Sequence, residues 1–150
     1  MILALDIATT TGWARRTESG VIFGTRDFSA VNHDHAVLGR RFHWWLTDLI
    51  AEHGKPSRIV IEKPFFMQKA PEAGILLHKL CHEAHRVAEL HKIPRGEYTA
   101  GVIKKHVTGD TRANKPEVMQ AVLDLGHKIT TEHEADAVAL LLLHEQETKS

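Results

Sequence analysis

The apolar positions of this chain change their spacing several times, and each change marks an element. Residues 2–7 form a nearly continuous apolar run and read as a buried strand. Thr11-Gly12 and Ser19-Gly20 are turn signals, so Trp13 to Arg16 and Val21 to Phe28 read as further strands of an antiparallel meander. The period then becomes helical. From about Asp34 to His53, Val37, Leu38, Phe42, Trp45, Leu46 and Leu49 share one face, and Gly54 and Pro56 stop the helix. Arg58 to Glu62 returns to a short β-branched strand pattern, broken by Pro64. Pro71 suits the first turn of a long helix reaching about His91, with Leu76, Leu80, Ala84 and Val87 as its stripe.

A brief strand is predicted around Gly96 to Tyr98, followed by helices at Ala100 to Val107 and from about Lys115 to Leu125. Thr131 and Glu134 form a capping box that opens a final helix carrying Leu140 to Leu143. Strands feeding helices in this way predict an α/β fold: a mixed five-stranded sheet flanked by helices on both faces, in one domain spanning 1–150.

Composition narrows this picture only slightly. With 43% apolar and 25% charged residues, the chain is an ordinary globular sequence. Lysine plus arginine and aspartate plus glutamate each number 19, so any basic surface must be local. One cysteine, Cys81, excludes an internal disulfide framework and fits a reducing compartment. The N-terminal residues lack the basic and apolar regions of a secretory leader, and the longest wholly apolar run, Ala137 to Leu143, is too short to cross a bilayer. A cytoplasmic protein without membrane association is expected.

Candidate chemistry lies at the element ends. Asp6 closes the first apolar run, Glu62 closes Arg-Ile-Val-Ile, and His133 and Asp136 stand three residues apart at the head of the last helix. Taken singly, each has an ordinary explanation. Asp6 could be a turn or cap residue, and His133 with Asp136 could be polar residues of a solvated first turn. Glu62 is harder to explain away, because a carboxylate beside a buried strand needs a partner or a metal. Together, two strand-end acids and a His-x-x-Asp pair on one helical face can converge on divalent metal. Two ions about 3.5–4 Å apart could activate water and stabilise a leaving alkoxide in phosphodiester hydrolysis. In that scheme Asp6 bridges the ions, Glu62 completes the leaving-group side, and His133 and Asp136 complete the water side. Oxygen ligands favour Mg²⁺, with Mn²⁺ a substitute once an imidazole joins them. His133 faces a helix dipole that disfavours imidazolium while Glu132 and Glu134 pull the other way, and activity is expected to fall as pH drops through about 6 to 7.

The segments LALDIATTTGWA, VIEKPFF, VIKKHVTGDTRANK and HEADAVALLL resemble the RuvC-type Holliday junction resolvases of the RNase H-like superfamily. The family's first acid and its Thr-Gly-aromatic stretch match Asp6, Thr11, Gly12 and Trp13; its central acid matches Glu62, and its closing pair matches His133 and Asp136. Some members carry His in the first of those last two places and others Asp. A departure is Ile7-Ala8, where the family has Pro-Gly. The resemblance implies an RNase H-like fold and a Mg²⁺-dependent endonuclease that resolves four-way junctions by paired, symmetric nicks. It further implies a homodimer, with the long helix from Pro71 and its apolar stripe as the expected dimer surface, and a branch-migration partner in a bacterium or phage.

DNA contacts are expected from two segments. Lys104, Lys105, Arg112 and Lys115 cluster near a helix start against a single acid, Asp110. By resemblance, Lys104 and Lys115 occupy the places of DNA-backbone lysines. Phe65 and Phe66 follow the central acid; either could be core, and by resemblance Phe65 falls on an aromatic that wedges against bases at the branch point. Gln68 and Lys69 follow in the same loop and could touch backbone. His78, His82 and His85, with Cys81 beside them, leave a zinc site conceivable, although a fourth ligand at motif spacing is missing. Arg15 and Arg16 could be surface or DNA-facing. The rival functions are a flap or general branch nuclease, an RNase H-type enzyme of the same fold, and a non-catalytic branched-DNA-binding module. A sugar-kinase-like ATPase would need a second such domain.

Overall fold

The computed structural model describes residues 1–65 and 67–149. The opening meander is β1 (Ile2–Asp6), β2 (Thr10–Thr17) and β3 (Gly20–Asp27), followed by a 3-10 turn at Ser29–Val31 and α1 (His35–His53). Then come β4 (Arg58–Glu62), α2 (Pro71–Leu90), β5 (Arg95–Tyr98), α3 (Ala100–Thr108), α4 (Lys115–Asp124) and α5 (Glu132–Lys149). The five strands make one mixed sheet in the order β3-β2-β1-β4-β5. β1 pairs antiparallel with β2 and parallel with β4, and β4 pairs parallel with β5.

Alternation along the central strands builds the two cores. Leu3, Leu5, Ile59 and Ile61 join Leu38, Phe42, Leu46, Leu80 and Val87 on the α1–α2 side. Ala4, Ala14 and Val60 join Ile103, Val118, Val138 and Leu141 on the α3–α5 side. Burying one such leucine contributes about 1.5–3 kcal/mol. Ala4 and Ala14 carry little more than a methyl, which leaves α5 room to lie against the middle of the sheet. α5 packs on the sheet with one flank and on α3 and α4 with the other. That explains why it shows no polar face through its Ala137–Leu143 run: a helix covered on nearly every side is apolar all round. None of the described helices is long and apolar enough to cross a membrane.

One expectation is corrected. Thr11 and Gly12 belong to β2 and not to a turn; the chain reverses three residues earlier, at Ala8 and Thr9. The Thr11 hydroxyl, itself buried, donates to the Ala8 carbonyl at 2.7 Å and ties that reversal down. Arg15 and Arg16 are resolved as well. Arg15 stands opposite Leu3 and is fully buried, which lowers its pKa, and Arg16 makes two 2.7 Å bonds to Glu145 of α5.

Candidate active site

β1 and β4 run side by side in register, from Ile2 beside Arg58 to Leu5 beside Ile61. Continuing that register brings Asp6 and Glu62 to neighbouring strand ends. Because Leu5 and Ile61 face α1 and α2, the next residues face α5. The second half of the constellation arrives from that side. Asp6 pairs with Gly12 across β1 and β2, and a Cβ on Gly12 would collide with the His133 carbonyl. Glycine there lets the first turn of α5 sit directly on the sheet beside Asp6. The turn is held by the predicted capping box: Glu134 N–H donates to Thr131 Oγ1 at 3.1 Å, and Thr131 N–H donates to Glu134 Oε1 at 3.2 Å. Such a cap stabilises a helix start by about 1 kcal/mol.

The result is a cleft of about 410 Å³ at the carboxyl ends of β1 and β4. Asp6, Glu62, His133 and Asp136 all line it, with Lys104, Lys115 and Phe65 on its walls. His133 Nδ1 lies 3.5 Å from Asp6 Oδ2.

Its electrostatics are unbalanced. Burial, reinforced by the Asp6 charge, pushes the Glu62 carboxyl up to about 7, against the opposing pull of Lys104 and Lys115. Burial likewise raises Asp136 to about 7, with Asp6 and Glu62 adding to the effect. A shift of Glu62's size corresponds to about 3 kcal/mol against its charged form. The His133 pKa is also raised, first by its hydrogen bond to Asp6 and against burial. Glu134 contributes none of this, because its carboxylate turns back to Thr130 and Thr131.

The donor set suits a hard divalent cation: three carboxylates and one imidazole. Among the described residues no three His, Cys, Asp or Glu side chains already stand as a metal-holding group. The fit therefore rests on crowded acid charge without enough nearby cation.

The expected DNA-binding residues divide. Lys104 and Lys115 reach the cleft, whereas Lys105 and Arg112 are exposed outside its lining. The start of α4 is already capped by Asn114 and Glu117, at 2.9 and 3.3 Å, so phosphate attraction there belongs to lysine side chains more than to free helix N–H groups. Phe65 is 55% exposed and thus not core; Phe66 lies outside the described residues. Gln68 and Lys69 miss the cleft and line an adjoining hollow with Phe65. The zinc idea finds no ligand set. His85 binds Glu97 at 2.8 Å, His78 bonds to the Gly74 carbonyl, and burial pushes the Cys81 thiol up to about 12. Glu132, by contrast, has more to do than its sequence position suggested. It lies 3.1 Å from Lys115 Nζ and 3.8 Å from His133 Nε2. The available signal was a lysine at the first position of a helix, where the dipole calls for a nearby acid.

Comparison with known proteins agrees with this geometry. A family model described as crossover junction endodeoxyribonuclease RuvC matches residues 16–144. A relative of that name from Salinibacter ruber is 29% identical over 74% of this chain and 63% of its own length. Another, from Saccharophagus degradans, is 36% identical over 63% of this chain and 56% of its own length. The chain thus spans little more than half the length of these relatives. Thermus thermophilus RuvC superposes with a TM-score of 0.79 at 20% identity, covering 99% of this chain and 95% of that one. The same protein in complex with a Holliday junction substrate gives 0.81 at 19% identity, covering 99% and 94%. These likenesses show the RNase H-like fold, extending over β1 and Asp6, which precede the family-model match. The chain belongs to the RuvC family of crossover junction endodeoxyribonucleases.

Proposed function

We propose that this chain is a divalent-metal-dependent endonuclease that nicks branched DNA, with the four-way Holliday junction as its substrate. The observation that carries the reading is the charge-starved cleft. Glu62 and Asp136 are both raised to about 7 around Asp6, at a site rimmed by Lys104 and Lys115.

Mg²⁺ bound there, as two ions per site or with Mn²⁺ in its place, would supply the charge that makes water nucleophilic and stabilises the departing oxygen. Asp6 would hold the metal most centrally, since it faces His133 and raises both other acids. Glu62 would complete the leaving-group side, and Asp136 with His133 the water side. The imidazole can accept a proton there when neutral. Lys104 and Lys115 hold the scissile strand through its phosphates. Phe65, an exposed ring at the cleft mouth, stacks against opened bases, with Gln68 and Lys69 touching backbone beside it.

Paired, symmetric nicks require two copies of this site, supplied by a C2 homodimer. Its interface cannot be the expected stripe of α2, because Leu80, Ala84 and Val87 are buried in the core with Leu76 packed on them; it lies instead along the α1–α2 groove, where Ile75 is 52% exposed. A branch-migration machine is the partner expected of such an enzyme, and a cytoplasmic location follows from its substrate. Cleavage of an end-labelled four-way junction with and without Mg²⁺, mapping both nicks, tests the reading. Symmetric Mg²⁺-dependent nicks support it. Preferential cutting of flaps or RNA–DNA hybrids would replace it with another nuclease of this fold, and binding without cutting would reduce it to a DNA-binding module.

A further inference from the structure

The contact between Lys115 and Glu132 is out of proportion to any structural need. Lys115 is the first residue of α4, where the positive end of the helix dipole repels an ammonium group. Asn114 and Glu117 already cap that terminus, so the lysine adds nothing to the helix. Its Nζ instead turns to Glu132, the first residue of α5, at 3.1 Å. The pair is open to solvent, with side-chain exposures of 65% and 37%. An exposed pair of this kind contributes little to stability and separates easily. Glu132 also lies 3.8 Å from His133 Nε2, whose other ring nitrogen faces Asp6.

We infer that Glu132 is a positioning residue that stands in for a DNA phosphate: it holds Lys115 at the cleft rim until a backbone phosphate displaces it. This rests on the reading of the cleft as a DNA-cutting site and names how that site is kept ready. Before DNA arrives, Lys115 is held near the acids by a contact that a phosphate can break. When the phosphate takes Lys115, the released carboxylate is left beside the His133 ring. An anion that must be displaced weakens binding. It also disfavours any backbone that cannot place a phosphate at this one point.

The test is the affinity of the full chain for a synthetic four-way junction, with Ca²⁺ in place of Mg²⁺ so that the DNA stays intact. Glu132→Gln keeps the shape and a hydrogen-bond acceptor but removes the competing charge. It should bind about threefold to tenfold more tightly than wild type, in keeping with the small worth of an exposed pair plus the relieved repulsion. In a Lys115→Ala background only the relieved repulsion remains, so the same change should give a clearly smaller gain. Affinity unchanged or weakened by Glu132→Gln overturns the inference, and so does a gain that persists undiminished without Lys115. Wild-type protein that binds no DNA overturns the functional reading together with it, whereas wild-type binding without the gain overturns the inference alone.

Discussion

Two hollows among the described residues are of opposite kinds. The groove between α1 and α2 is the larger, about 870 Å³, against about 410 Å³ for the cleft at the strand ends. The groove is also rich in histidine, yet its polar groups are largely at rest. His43 bonds Glu83 at 2.7 Å, His35 meets Lys79 at 3.1 Å, and His78 bonds to the Gly74 carbonyl at 2.8 Å. The cleft is the reverse. Glu62 and Asp136 are half-buried beside Asp6, and burial together with that neighbouring charge raises both to about 7. Size and histidine count favour the groove; unresolved charge favours the cleft. Chemistry follows the second, because a protein keeps mutually repelling buried acids only where something else completes them.

The largest expected effect comes from removing the charge that both other acids feel. Asp6→Asn should cut cleavage by on the order of 1000-fold or more while junction binding survives. More than a few per cent of wild-type cutting would show that the site does not turn on Asp6. Next is His133→Ala, expected to lose on the order of 100-fold. His133→Asp should retain Mg²⁺-dependent cutting. The pH profile sharpens this point. Acids raised to about 7 are protonated below that pH and free to bind metal above it, so activity climbs as pH rises through about 7. Since Glu62 and Asp136 carry this limb as well as His133, it should persist in His133→Asp; its disappearance would assign the limb to the histidine alone.

The groove gives the contrasting result. Ile75→Glu puts a charge on the exposed face of α2 and should weaken the proposed homodimer on the order of 100-fold or more, as read by light scattering. Paired nicks should become single nicks, with metal dependence unchanged. If the variant stays dimeric, the interface lies elsewhere. The smallest effects are at the rim. Lys104→Ala and Lys115→Ala should each lower the salt dependence of DNA binding by about one unit of slope, measured as affinity against log salt. Unchanged slopes would return both to ordinary surface.

Much of this was legible in the sequence because it is carried by local pattern. Apolar runs ending in Asp6 and Glu62 announce strands with acids at their tips, and Thr131 and Glu134 announce the helix that brings His133 and Asp136. What was not legible depends on packing between distant segments. Thr11-Gly12 looks like a turn, but its glycine is there so that α5 can approach β2. Glu132 looks like one more acid favouring a helix dipole, and only the meeting of α4 with α5 shows it on Lys115. His133 was balanced between a dipole and two flanking glutamates, yet the dominant influence is Asp6, 127 positions away in sequence and 3.5 Å away in space.

Most direct is a test of whether a metal ion completes the cleft acids that burial and mutual repulsion raise to about 7. Isothermal titration of the protein with Mn²⁺ at pH 7, repeated in buffers of different ionisation enthalpy, measures the protons released on binding. With Glu62 and Asp136 both near 7 and His133 raised as well, binding should release one proton or more in total, and Asp6→Asn should abolish the strong binding event. Metal binding that releases no proton, or that is unchanged in Asp6→Asn, would contradict that role for the metal.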